Sequence, residues 1–131
     1  MLIFGESFFS MNDSYKSLIE LILPDSVEEY FELVNVTKST ESIHLYLKEL
    51  NKTPEEFSSN KLASKGFFEE VTIQDFPIRG LQVYLHITRR RWMNEDTGKV
   101  VFRDWDLVSK GTRITKDFAA FLKAFSRYTS T

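Results

Sequence analysis

Residues 81–105, LQVYLHITRRRWMNEDTGKVVFRDW, decide the fold. Leu81, Val83, Leu85 and Ile87 alternate with Gln82, Tyr84, His86 and Thr88, the period-two pattern of a half-buried strand. The strand runs on into Arg89-Arg90-Arg91-Trp92. Asn94-Glu95-Asp96-Thr97-Gly98 carries turn chemistry, and Lys99–Trp105 returns as a second strand. The stretch therefore predicts a β-hairpin with a charged, aromatic tip. Consecutive strand residues face opposite sides, so Arg89 and Arg91 share one side and Arg90 takes the other. Continuing the register of Leu81–Ile87 would bury two guanidinium groups, which is costly unless they are paired. The strand is expected to leave the core at that point, or to be re-aimed by a bulge, and to carry the arginines to an exposed tip.

Working outward, Asp75-Phe76-Pro77-Ile78-Arg79-Gly80 reads as a turn and residues 67–73 as another strand. Residues 51–66 are polar, with Pro54 and Gly66, and predict a loop with one helical turn at 54–56. Residues 29–37 and 42–50 alternate as strands joined by Lys38-Ser39-Thr40-Glu41, with a helix over 26–35 as the competing reading of the first. Asn12-Asp13-Ser14 is a cluster of N-cap residues before Tyr15, Leu18, Ile19 and Ile22, which predicts a helix over 13–23 ended by Pro24. At the other end, Lys110-Gly111-Thr112-Arg113 forms a basic linker. Thr115 is placed to cap a helix reaching about Arg127, with Asp117 in its first turn. Ile114, Phe118, Phe121, Leu122 and Phe125 make its apolar face; Lys116, Lys123 and Arg127 share another.

The fold class expected is α+β: an antiparallel sheet built from hairpins, one of them ribbon-like, with an N-terminal and a C-terminal helix. The expected organisation is an extension at residues 1–11, an acidic α+β sub-domain at 12–66, and a basic hairpin plus helix at 67–131. Met1 and Met11 are the two candidate starts, since the first helix cap directly follows Met11.

The chain has 131 residues, 42% of them hydrophobic, enough for a core of one domain or two small ones. The absence of cysteine excludes disulfides, thiolate nucleophiles and cysteine zinc sites, and fits a reducing cytoplasm. No apolar run approaches a membrane span. The net charge of -2 hides an asymmetry: residues 1–78 carry 6 Lys and Arg against 14 Asp and Glu, residues 79–131 carry 11 against 5. Such a split is a hint of a polyanion-binding surface, or of two halves that neutralise each other in the fold.

Little in the sequence points to catalysis. His44 and His86 lie on separate strands with no metal-ligand spacing, and read as structural or surface residues. Asp104 and Asp106 are two apart, a spacing found in metal sites, but in a basic neighbourhood their expected role is charge balance. No glycine-rich phosphate loop and no nucleophile elbow is present. The chain is thus expected to be no enzyme and to need no cofactor or metal. The arginine run is more informative. Guanidinium forks match phosphate oxygens and guanine edges. Arg89, Arg90, Arg91, Trp92, Arg103, Lys110, Arg113 and Lys116 are the candidate DNA contacts.

Ser64-Lys65-Gly66-Phe67-Phe68, Asp75 to Gly80, Arg89 to Trp92, Gly111 to Thr115 and Asp117 to Lys123 together resemble the N-terminal region of ISAon-type insertion-sequence transposases, which are related to ISL-type transposases. The resemblance covers about residues 12–127. It implies recognition of transposon-end DNA in the cytoplasm of a bacterium, with catalysis left to a DDE-domain polypeptide encoded downstream. It also implies that polypeptide as a partner; apart from the resemblance, a second copy of this chain is a further candidate partner. In the ISL-type relatives a cysteine pair follows the arginines and starts a zinc ribbon. Here Met93-Asn94-Glu95-Asp96-Thr97-Gly98 stands in that place, so packing by Trp92, Phe102 and Trp105 must replace the metal. The alternative function is an interaction or regulatory subunit that docks on the catalytic chain without touching DNA.

Overall fold

The computed structural model describes residues 14–15, 17–25, 27–109 and 111–129, with 128 and 129 as backbone. The contacts divide it into two units, Met1–Tyr30 and Phe31–Thr131. In the first, residues 14–15 and 17–22 are helical. The Leu23 N–H closes that helix on the Ile19 carbonyl at 3.0 Å. A one-turn helix, Val27–Tyr30, follows Pro24. The expected extension at 1–11, with both candidate starts, and the caps Asn12 and Asp13 lie outside the described residues.

The second unit has seven strands: β1 (Phe31–Lys38), β2 (Ser42–Glu49), β3 (Leu62–Phe67), β4 (Val71–Ile78), β5 (Leu81–Thr88), β6 (Arg90–Asn94) and β7 (Lys99–Val101). A helix, Lys116–Thr129, ends it. The architecture is α+β, as expected, with one sheet ordered β1-β2-β5-β4 and a second ordered β3-β6-β7. β1 and β2 form the expected hairpin. β4 and β5 are joined by Arg79-Gly80, whose φ angles of 51° and 79° are those of the two-residue type I′ turn that matches strand twist. β2 and β5 pair in parallel, with Ser42, His44 and Tyr46 beside Gln82, Tyr84 and His86.

Apolar alternation fills one face of the larger sheet. Leu45, Leu47, Ile73, Val83, Leu85 and Ile87 are buried there, each worth about 1.5–3 kcal/mol. Trp105 packs on Phe31 with ring centroids 4.8 Å apart. The C-terminal helix is tied to edge strand β4. Thr115 Oγ1 donates to buried Asp75 at 2.7 Å and accepts from the Phe118 N–H at 3.4 Å, so the cap residue also anchors the helix. Phe118 then packs against Phe76, 5.2 Å between centroids.

Several expectations are corrected. Residues 62–66 are not loop: with Phe67 they form β3, whose sequence LASKGF lacks apolar alternation and which is held by pairing with β6, while the strand expected over 67–73 is interrupted at 68–70 and resumes as β4 at Val71. The turn expected at 75–80 shrinks to Arg79-Gly80, because β4 runs through Asp75 and Pro77. An edge strand tolerates a proline, and the register shifts between Asp75 and Ile78. The boundary expected at residue 66 falls inside β3, and β2 from the acidic half pairs with β5 from the basic half, so the halves interleave. Among the described residues no helix is long and apolar enough to cross a membrane.

Candidate functional site

The long strand read from the sequence is two strands in two sheets. β5 ends at Thr88, and Arg89 makes the crossing, its carbonyl accepting the Phe68 N–H at 2.9 Å. β6 then starts at Arg90 and turns back through residues 95–98 into β7. The register argument therefore located the break. It placed the arginines wrongly: they stand half-buried at the base of the hairpin, not at its tip.

The expected alternation of the three side chains holds. The Arg89 and Arg91 guanidinium carbons lie 4.9 and 5.4 Å from the Phe68 ring centre, so one ring carries two cations. Phe102 meets Phe68 edge-on at 5.4 Å and lies 5.7 Å from Arg89. Arg90 takes the other side, over Phe67 at 4.6 Å, where Lys48 also sits at 4.6 Å. Each such contact is worth about 0.5–2 kcal/mol, depending on desolvation. Among the described residues no carboxylate lies within ion-pair distance of the Arg89, Arg90 or Arg91 guanidinium. Arg89 also lines a cleft of about 330 Å³ with Ile87, Phe102, Trp105 and the acidic Asp104 and Asp106.

The remaining candidates separate. Arg90 is a brace: Nη1 donates to Ser64 Oγ at 2.8 Å and its backbone N–H to Glu49 Oε1 at 3.0 Å. Arg103, 9% exposed, donates Nη2 to the Lys52 and Thr53 carbonyls at 3.3 Å each. Trp92, 1% exposed, is core and cannot reach a ligand at the surface. It follows Arg91 on the strand and so faces inward. Arg113 is exposed. Lys116 is paired with Asp106 at 2.6 Å, which accounts for Asp106 as charge balance. Lys110 lies outside the described residues.

Glu49 ties this region together and was not singled out in the sequence. It is 2% exposed, and its Oε1 also accepts the Trp105 indole N–H at 3.2 Å. Burial pushes its carboxyl above the ordinary value of 4.5; the Arg90 N–H, the Trp105 N–H and the charges of Arg103 and Arg90 oppose that shift. Its spacing from Arg90 and Trp105 in sequence hides the contact.

A second constellation lies on the polar face of the larger sheet, where β2 and β5 run in parallel. Four rings stack in the order Tyr84, His44, His86, Tyr46, with centroids 5.2, 4.9 and 4.4 Å apart. His44 Nδ1 and His86 Nε2 are 2.7 Å apart. Ser42 Oγ stands 3.1 Å from His44 Nε2, and Thr72 Oγ1 stands 3.1 Å from His86 Nδ1. Glu70 Oε2 is 3.5 Å from that same His86 nitrogen. Burial holds the His86 imidazole below its ordinary 6.5, with His44 adding to the shift and Glu70 opposing it. Among the described residues no group of three or more acids and histidines is arranged to hold a metal ion. No family model, no curated protein and no solved structure matches the chain.

Proposed function

We propose that the chain is the N-terminal DNA-binding region of a bacterial insertion-sequence transposase, contacting transposon-end DNA in the cytoplasm while a downstream DDE-domain polypeptide supplies catalysis. The observation that carries this reading is the pair of guanidinium groups, Arg89 and Arg91, held against one phenylalanine ring with no described carboxylate within ion-pair distance. A ring fixes the plane of a guanidinium, and the fork then needs little further ordering to meet a phosphate. Arg113 is a further exposed cation. Lys116 would exchange Asp106 for phosphate. Arg90 and Arg103 support the scaffold, and Trp92 belongs to the core.

Fluorescence anisotropy on a duplex carrying the element's terminal repeats tests this. Affinity should fall with salt at a log–log slope of about −0.9 per phosphate neutralised. Replacing Arg89 and Arg91 together by alanine should weaken binding and reduce that slope by about 1.8, with the circular dichroism unchanged. Undetectable binding at low salt, or an unaltered slope in the double variant, would sink the assignment.

A second reading, docking on the catalytic chain or on a second copy, is favoured by the C-terminal helix, where Phe121, Leu122 and Phe125 remain 50%, 40% and 56% exposed. Co-purification that survives nuclease treatment, combined with no affinity for the duplex, would select it.

A further inference from the structure

The stacked rings on the polar face form a directed chain of hydrogen bonds. Ser42 Oγ is 3.1 Å from His44 Nε2, His44 Nδ1 is 2.7 Å from His86 Nε2, and His86 Nδ1 is 3.1 Å from Thr72 Oγ1 and 3.5 Å from Glu70 Oε2. Two opposite assignments of protons satisfy the three hydrogen bonds, and the Glu70 carboxylate beside His86 Nδ1 favours the one with Nδ1–H on both rings, Nε2 bare on both, and the serine hydroxyl donating. Every donor then points from Ser42 toward Glu70. That is the arrangement of an activated nucleophile: a hydroxyl within reach of a base, and the base oriented by a further group that ends on a carboxylate. Two ring nitrogens sharing one tetrahedral zinc would stand about 3.3 Å apart, given Zn–N bonds near 2.05 Å. The 2.7 Å separation is that of a hydrogen bond.

A cleft of about 440 Å³ opens on Ser42, lined also by Thr40, Glu41, Gly80, Gln82 and Tyr84. The Tyr84 hydroxyl donates to Gln82 Oε1, which fixes that wall. We infer that Ser42 is a nucleophile for small carboxylic esters, with His44 its general base and His86 and Glu70 the groups that hold the base. In the first step Ser42 Oγ bonds to the ester carbonyl carbon, and its proton passes to His44 Nε2. His44 keeps its Nδ1–H on His86, which spreads the new positive charge toward Glu70. The carbon–oxygen bond to the leaving alcohol then breaks, and the alcohol takes the proton from His44. Water, activated by the same nitrogen, attacks the acyl-serine, releases the acid and restores Ser42.

The test is a fluorophosphonate probe applied to the full chain, followed by peptide mass spectrometry. The adduct should map to Ser42 and vanish in Ser42→Ala. Its rate of formation is compared at pH 8. The rate should drop roughly tenfold or more in His44→Gln, and less in His86→Gln. No adduct on Ser42 above the other serines at pH 8, or an undiminished rate in a folded His44→Gln chain, overturns the proposal. Duplex affinity unchanged in Ser42→Ala keeps this result separate from the DNA reading.

Discussion

The arginine–phenylalanine cluster and the histidine–tyrosine stack differ in how they are built. The first comes from adjacent residues, Arg89 to Arg91, which a strand must splay to opposite sides. They therefore take two roles: Arg89 and Arg91 are cations on Phe68, and Arg90 is a brace on Phe67 and Glu49. The second comes from residues far apart, Ser42 and His44 on β2, Thr72 on β4 and His86 on β5, which the sheet gathers on one face. Charge follows the same division. In the cluster Arg89 and Arg91 have no described carboxylate within ion-pair distance and only Arg90 reaches an acid, Glu49, whereas the stack runs to a carboxylate. Proximity in sequence is thus a poor guide to common action on a strand, and registry across strands is a better one.

The largest test of that contrast sits next to the cluster. Trp92→Ala should lower stability by about 3–5 kcal/mol in urea unfolding, because it empties a core site. Neighbouring Arg91→Ala should cost about 1 kcal/mol, the worth of its ring contact, while weakening duplex binding. Equal losses would mean that Arg91 is core as well, and the inward–outward division would fail.

Glu49 comes next. Removing its carboxylate with Glu49→Ala strands the Trp105 and Arg90 N–H groups, at a cost of about 1–3 kcal/mol, whereas Glu49→Gln keeps an acceptor oxygen for both. The folded pKa lies above 4.5, so between 4.5 and that value the native chain holds a proton that the unfolded chain has released. Stability should decline as pH rises across this window and then level off. A Glu49→Gln chain whose thermal melts show the same decline would remove Glu49 as its source.

On the stack the sign is opposite. The folded His86 pKa lies below 6.5, so on acidification the unfolded chain takes up a proton first. The stability His86 contributes should be complete at pH 8 and be lost as pH falls through 6.5. His86→Gln should cost about 0.5–1.5 kcal/mol at pH 8 through the lost ring contacts and should flatten the acid-side loss. Melting curves at pH 8 and pH 5.5 check both, and an unchanged slope would detach the pH response from the stack.

The smallest effect is at the turn that sets the register of β4 on β5. Arg79 adopts φ 51° without being glycine or asparagine. Arg79→Gly should therefore stabilise the fold by about 0.5–1 kcal/mol. A loss instead would show that the arginine makes a contact worth more than its backbone strain.

By itself the sequence determined the α+β class, the alternation of β2 and β5, the helix that Thr115 caps, and the break in the strand at Arg89. Each follows from rules acting over a few residues: side-chain period, capping, and the cost of burying a guanidinium. Strand β3 escaped because LASKGF has no period of its own. The extent of β4 escaped because Asp75 and Pro77 read as turn residues until Thr115 and an edge position accommodate them. Only the tertiary structure decided that Glu49 lies under Trp105, that Trp92 is core while Arg91 is not, and that His44 meets His86 at hydrogen-bond distance. The physical reason is the parallel pairing of β2 with β5. It closes a loop of some forty residues, and a contact at that separation is chosen by the packing of both sheets together, not by the residues beside it in the chain.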